Sequence, residues 1–155
     1  MDNKKINFTR KTLSKAEDFD DQLIKFVILW IGLNALYDRD EEKKHEGEKV
    51  KAFFKNNEKI ITKVINEEKH DLTRVEDVIY NKYPIQHQKI GEFLNKRRII
   101  FIKQHPDRIK YLGEFLYQVR NNMFHSAKEW EEEAEARLLS EINPIMVDIL
   151  KELTK

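Results

Sequence analysis

"FVILWIGLNALY", Phe26–Tyr37, is apolar almost all the way round a helix, with Asn34 as its conspicuous exception. A helix of that kind is buried on several sides, so other helices must surround it. Just upstream, Ser14 and Glu17 match the S-x-x-E capping box that opens a helix. The first helix is therefore expected from Ser14 to Tyr37 or Asp38, leaving 1–13 as a flexible N-terminal segment. Downstream, "DRDEEKKHEGE" is a charged connector with a glycine, the best candidate for a mobile loop.

The remaining punctuation continues the pattern. Only 4 Gly and 3 Pro occur in 155 residues, as suits helices joined by few tight turns. A second helix is expected over about Lys49–Glu67, and a short one from a Thr73/Glu76 box to before Pro84. A third is expected over Gln86–Lys103. Pro106 suits the first turn of the next helix, which runs to Phe124. The last is expected from a Ser126/Glu129 box to Leu153, kinked or broken at Pro144. The fold class is all-α, a single domain of about four to six helices.

Composition excludes several functions. Lys plus Arg number 29 against 28 Asp plus Glu, a net charge of +1, so no global field favours nucleic acid or membrane. Zero cysteines exclude disulfides, thiolate metal sites and cysteine nucleophiles, and fit a cytoplasmic setting. No run of about 18 apolar residues suggests a membrane span. "MDNKKINFTR" is not followed by the apolar region of a signal peptide. No H-E-x-x-H, Gly-rich phosphate loop or serine triad signature is present, so no metal or cofactor is expected. His45, His70, His87 and His105 lack metal-ligand spacing and are expected at the surface.

The chemistry concentrates in "RNNMFH", Arg120–His125. At about 100° per residue, Leu112, Phe115, Leu116, Val119 and Met123 form one core-facing stripe. Tyr117, Arg120, Asn121, Phe124 and His125 form a contiguous sector on the other side, bordered by Gly113. Two aromatics and a small residue among polar groups suggest a partner surface, and the simplest partner is a second copy related by a two-fold axis. Gly113, Tyr117 and Phe124 are thus the expected dimer interface. Arg120 and His125 lie about 140° apart on an ideal helix, so a shared cleft would gather both pairs. Histidine transfers protons near neutral pH, arginine holds phosphate bidentately, and Asn121 can touch His125 as an i,i+4 neighbour. The bland alternative is a histidine favoured by the helix C-terminus and an arginine in a surface ion pair.

Two segments in this order carry a resemblance. "FVILWIGLNALYD", Phe26–Asp38, is similar to the first long helix of one branch of the HEPN domains. "VRNNMFHSAK", Val119–Lys128, resembles their R-x4-6-H motif with a polar residue after the arginine. "ARLLSEINPIMVDIL", Ala136–Leu150, resembles the family's last helix, so the likeness spans about Lys15–Leu150 with a poorly matched middle. The resemblance implies an up-and-down helical bundle that dimerises and, in many members, a metal-independent endoribonuclease acting as a toxin or antiviral effector. It implies catalytic roles for Arg120 and His125, with Asn121 in support. One toxin branch carries a tyrosine two residues after the histidine, to which its antitoxin attaches AMP; Ala127 stands there in this chain, so that mode of neutralisation by an antitoxin is not expected. Other members only bind nucleotide, RNA or protein. Asn34 and Asn122 are candidate supports for the motif, and Lys96, Arg97 and Arg98 are candidate RNA-backbone contacts.

Overall fold

The computed structural model describes residues 2–37, 45–65, 70, 72–79, 98–125 and 132–155. These residues contain α1 (Asn3–Glu17), α2 (Gln22–Leu36), α3 (Glu46–Asn56), α4 (Glu58–Ile65), α5 (Thr73–Asp77), a 3-10 turn (Arg98–Phe101), α6 (Arg108–His125) and α7 (Glu132–Leu153). No strand occurs among the described residues, and the protein is all-α. No helix among them is long and apolar enough to cross a membrane.

The segment expected to be flexible is instead the helix α1. The Asp2 carboxylate accepts from Lys4 N at 2.8 Å and starts it. Its buried face is Thr9, Thr12, Leu13 and Ala16. Ser14 and Glu17 lie in its last turn rather than its first; the helix ends at Glu17 and residues 18–21 are non-helical. Asp21 then caps α2, its carboxylate accepting from Ile24 N at 3.0 Å. The capping-box spacing was present, but the aspartates on either side hold the actual caps. α1 lies close on α2 because Gly32 has no side chain: Thr9 Oγ1 donates to Gly32 O at 3.0 Å, and a methyl there would come 2.3 Å from Thr12 Oγ1. Across the molecule, Arg10 Nε donates to Thr154 O at 2.9 Å, with Nη2 on the same oxygen. This ties α1 to the end of α7, where an added cation also meets the negative pole of the helix. Arg10→Ala is expected to lower unfolding stability by about 1 kcal/mol, read as a lower urea midpoint at unchanged slope.

The helix expected over Lys49–Glu67 is divided at Asn57. Its Nδ2 donates to Phe53 O at 2.9 Å and its backbone N–H to Phe53 O and Phe54 O, closing α3 before α4 begins. α5 starts at Thr73, but Leu72 is its N-cap and offers no side-chain bond. The helix expected to reach Lys103 does not: Arg98–Phe101 is a 3-10 turn, followed by turns up to Asp107. Residues 80–97 lie outside the described ones. α6 begins at Arg108, two residues past Pro106, and the buried Arg108 donates from Nε to Ile100 O at 2.8 Å. α7 continues through Pro144 without a break. The lost bond at proline costs about 3 kcal/mol; it is offset by the burial of Ile142, Ile145, Met146 and Ile149 around it. Asn143 Nδ2 adds bonds to Gln22 O (2.9 Å) and Gln22 Oε1 (3.0 Å), pinning α7 to the start of α2.

One apolar cluster joins these helices, with Phe26, Leu29, Val50, Phe54, Ile61, Val119 and Leu138 almost wholly buried. α2 packs between α1 and α7, α4 packs on α7, and α3 packs on α6. The α3–α6 pair is antiparallel: Glu46 and Gly47 at the start of α3 meet Arg120 and Tyr117, while Phe54 and Lys55 near its end meet Gly113 and Pro106.

Candidate functional site

The core stripe of α6 is as the helix wheel predicts. Leu112, Phe115, Leu116, Val119 and Met123 are all buried. In the opposite sector, Gly113 and Tyr117 are covered by the chain itself. Gly113 is buried, and a methyl on it would lie 2.7 Å from Phe54 Cγ. Tyr117 is 8% exposed; its ring lies 6.5 Å from that of Trp30 and meets His45 edge-on at 6.4 Å. Gly47 lets the chain approach Tyr117, since a methyl there would be 2.9 Å from its Cε1. Gly113 and Tyr117 therefore belong to the chain's own interior, not to a dimer interface. The amphipathic face did mark a packing surface, but its partner is α3. A helical wheel shows which residues share a face; it does not say which helix covers that face. The Phe124 side chain lies outside the described residues.

Past Tyr117, the α6 surface opens into a polar cluster where the end of α2, the start of α3 and α6 converge. Arg120 Nη1 donates to Asn121 Oδ1 at 3.0 Å and lies 3.6 Å from Glu46 Oε2. Glu46 Oε1 in turn accepts from the Tyr37 hydroxyl at 2.7 Å. Burial raises the pKa of Tyr37 well above the usual phenol range, and the hydrogen bond to Glu46 raises it further. Tyr37 thus keeps its proton and acts as a fixed donor. It holds Glu46, and Glu46 holds one side of Arg120. The side chains of Arg120 and Glu46 remain 27% and 35% exposed, so solvent reaches both. His45 begins α3, with Nδ1 accepting from Gly47 N at 3.4 Å, and Glu46 and Glu48 fill the first turn where the helix dipole favours negative charge.

His125 is the last residue of α6, about 7.5 Å further along the helix axis than Arg120; its side chain lies outside the described residues. Asn34 is half-buried on α2 rather than fully buried, and Asn122 is half-buried on α6. The support behind Arg120 runs through Glu46 and Tyr37. Lys96 and Arg97 lie outside the described residues, as does the side chain of Arg98 at the start of the 3-10 turn. His70, expected at the surface, is 5% exposed and hydrogen-bonds Asp148 on α7. Among the described residues no group of three or more His, Asp or Glu could hold a metal ion.

Glu46 and Tyr37 were not singled out from the sequence. Glu46 sits in a connector with several other carboxylates, and no local pattern separates the one that reaches α6. Tyr37 ends an apolar run, where its hydroxyl gives no periodic signal. Comparison of the chain with family models, curated proteins and solved structures finds no match.

Proposed function

We propose that the protein is a metal-independent endoribonuclease of the HEPN type, with Arg120, His125 and Asn121 as its working residues. The observation that carries this reading is Arg120. Its Nη1 is held by Asn121 and faces Glu46, on a side chain that is 27% exposed with Nε buried, five residues before a histidine at the end of the same helix. The RNA 2′-hydroxyl attacks the adjacent phosphorus. The new O2′–P bond forms as the P–O5′ bond breaks, leaving a 2′,3′-cyclic phosphate and a 5′-hydroxyl. His125 takes the 2′-hydroxyl proton, and the departing oxygen is protonated from water or from the imidazolium. Arg120 stabilises the charge that develops on the phosphoryl oxygens. The same resemblance suggests a toxin or antiviral effector, kept in check by an antitoxin or other regulatory protein.

A second reading is a non-catalytic module that binds RNA, nucleotide or protein. It is favoured by the Glu46 carboxylate beside Arg120, which offsets charge that a phosphate would otherwise meet. Incubation with single-stranded RNA in EDTA separates the two. Ribonuclease action predicts fragments ending in 2′,3′-cyclic phosphate, and their loss in His125→Ala. Intact RNA under all conditions, or equal cleavage by that variant, overturns it.

A further inference from the structure

Arg120 cannot cover a phosphate on its own. Its Nε is buried, and its Nη1 donates to Asn121 Oδ1 and faces Glu46. A bidentate grip needs two N–H groups of the fork aimed together at the ligand, and two of the three nitrogens already face the protein. Attack by the 2′-hydroxyl spreads charge over two non-bridging oxygens, so one of them needs a donor from elsewhere.

His45 is the neighbour placed to supply it. It is exposed at the N-cap of α3, and Glu46, next in the chain, is the residue that meets Arg120. Its ring stands edge-on to that of Tyr117 at 6.4 Å. Tyr117, Asn121 and His125 follow one another at i, i+4 and i+8, on successive turns along one side of α6. The bond to Asn121 draws the Arg120 guanidinium toward that side, so Arg120 stands between His45 at one end and His125 at the other. The His45 ring also has a fixed orientation. Nδ1 accepts from Gly47 N at 3.4 Å and caps the helix, which leaves the ring proton on Nε2. Nε2 is therefore a donor.

We infer that His45 donates from Nε2 to a phosphoryl oxygen of the RNA, so that it and Arg120 each hold one of the two non-bridging oxygens. The role rests on the ribonuclease reading and adds a residue at the start of α3 to the three on α6. It requires no proton to leave His45, only a hydrogen bond that strengthens as charge grows on the oxygen. Because His45 packs on Tyr117, it accompanies Arg120 into the cleft, whether one chain forms that cleft or two. The competing role for the same side chain is purely structural, as the cap of α3 and the edge that Tyr117 meets.

Kinetics on a single-stranded RNA with one scissile phosphate, native or with sulfur in place of either non-bridging oxygen, test the role. His45→Ala is expected to lower kcat about 10²- to 10³-fold with little change in KM. His45→Asn keeps a side-chain acceptor for the cap but lacks the imidazole Nε2. It is expected to fold like wild type, by circular dichroism and urea midpoint, and to lose as much activity as His45→Ala. Sulfur accepts hydrogen bonds weakly, so sulfur at the oxygen that His45 meets is expected to slow wild type and to cost both variants less. A folded His45→Asn protein that cleaves at the wild-type rate makes the residue a cap and overturns the role. Sulfur effects that are equal in wild type and both variants also overturn it. Either result strikes His45 alone, whereas a wild type that leaves RNA intact overturns the ribonuclease reading and this role with it.

Discussion

Replacing Arg120 with alanine is expected to reduce RNA cleavage by about 10²- to 10³-fold, the usual effect of losing one fixed donor to a developing oxyanion. The fold should survive. The contact to Glu46 is 3.6 Å long and both side chains are partly exposed, so that ion pair is worth less than about 1 kcal/mol. The loss should fall mainly on kcat, because the charge that the guanidinium meets grows in the transition state. Arg120→Lys separates charge from geometry. Lysine keeps the cation but loses the planar fork, so it is expected to restore only a small part of the activity. An Arg120→Ala protein that cleaves at the wild-type rate would remove Arg120 from the reaction and leave it as the ion-pair partner of Glu46.

What the sequence revealed, and what it hid, divides along physical lines. The helix class was legible because few residues break helices and the apolar periodicity is strong. The α6 core stripe was legible for the same reason, and its five residues are all buried. Helix ends were less so. Ser14 and Glu17 have capping spacing but sit at the wrong end of a helix, because Asp2 and Asp21 hold the caps. Asn57 divides a run of continuous apolar periodicity with one side-chain bond to Phe53 O, an effect that no periodicity records. The site was half legible. The residues on α6 are consecutive in sequence and could be picked out together. Glu46 and Tyr37 reach Arg120 only after α2 and α3 are folded onto α6, and that tertiary placement has no local signature. On the second face of α6, Gly113 and Tyr117 were read as contact residues, and α3 of the same chain is what they pack on.

That contact yields the largest expected effect on stability. In a helix interior, glycine is about 1 kcal/mol worse than alanine, so Gly113→Ala should stabilise α6 if nothing lay against it. Phe54 does. The new methyl would sit 2.7 Å from Cγ and 3.1 Å from Cβ of Phe54. Rotation about χ2 moves neither atom, χ1 moves Cγ only by displacing the whole ring, and that ring is 1% exposed in the core. Overpacking of this kind costs about 1–3 kcal/mol and outweighs the propensity gain, so Gly113→Ala is expected to be net destabilising by about 1 kcal/mol. Gly113→Val adds a branched carbon with the same neighbour and a poorer helix propensity, and is expected to lose more than about 3 kcal/mol. Separation of α3 from α6 would also draw Glu46 away from Arg120, so the cluster should loosen with the fold. Urea unfolding measures both variants, and a double-mutant cycle with Phe54→Leu locates the cause. The smaller, more adaptable side chain should recover part of the Gly113→Ala loss, a coupling on the order of 1 kcal/mol. A Gly113→Ala protein more stable than wild type would mean that α3 and α6 are not in close contact there. The polar cluster would then lose the frame that holds Glu46 against Arg120.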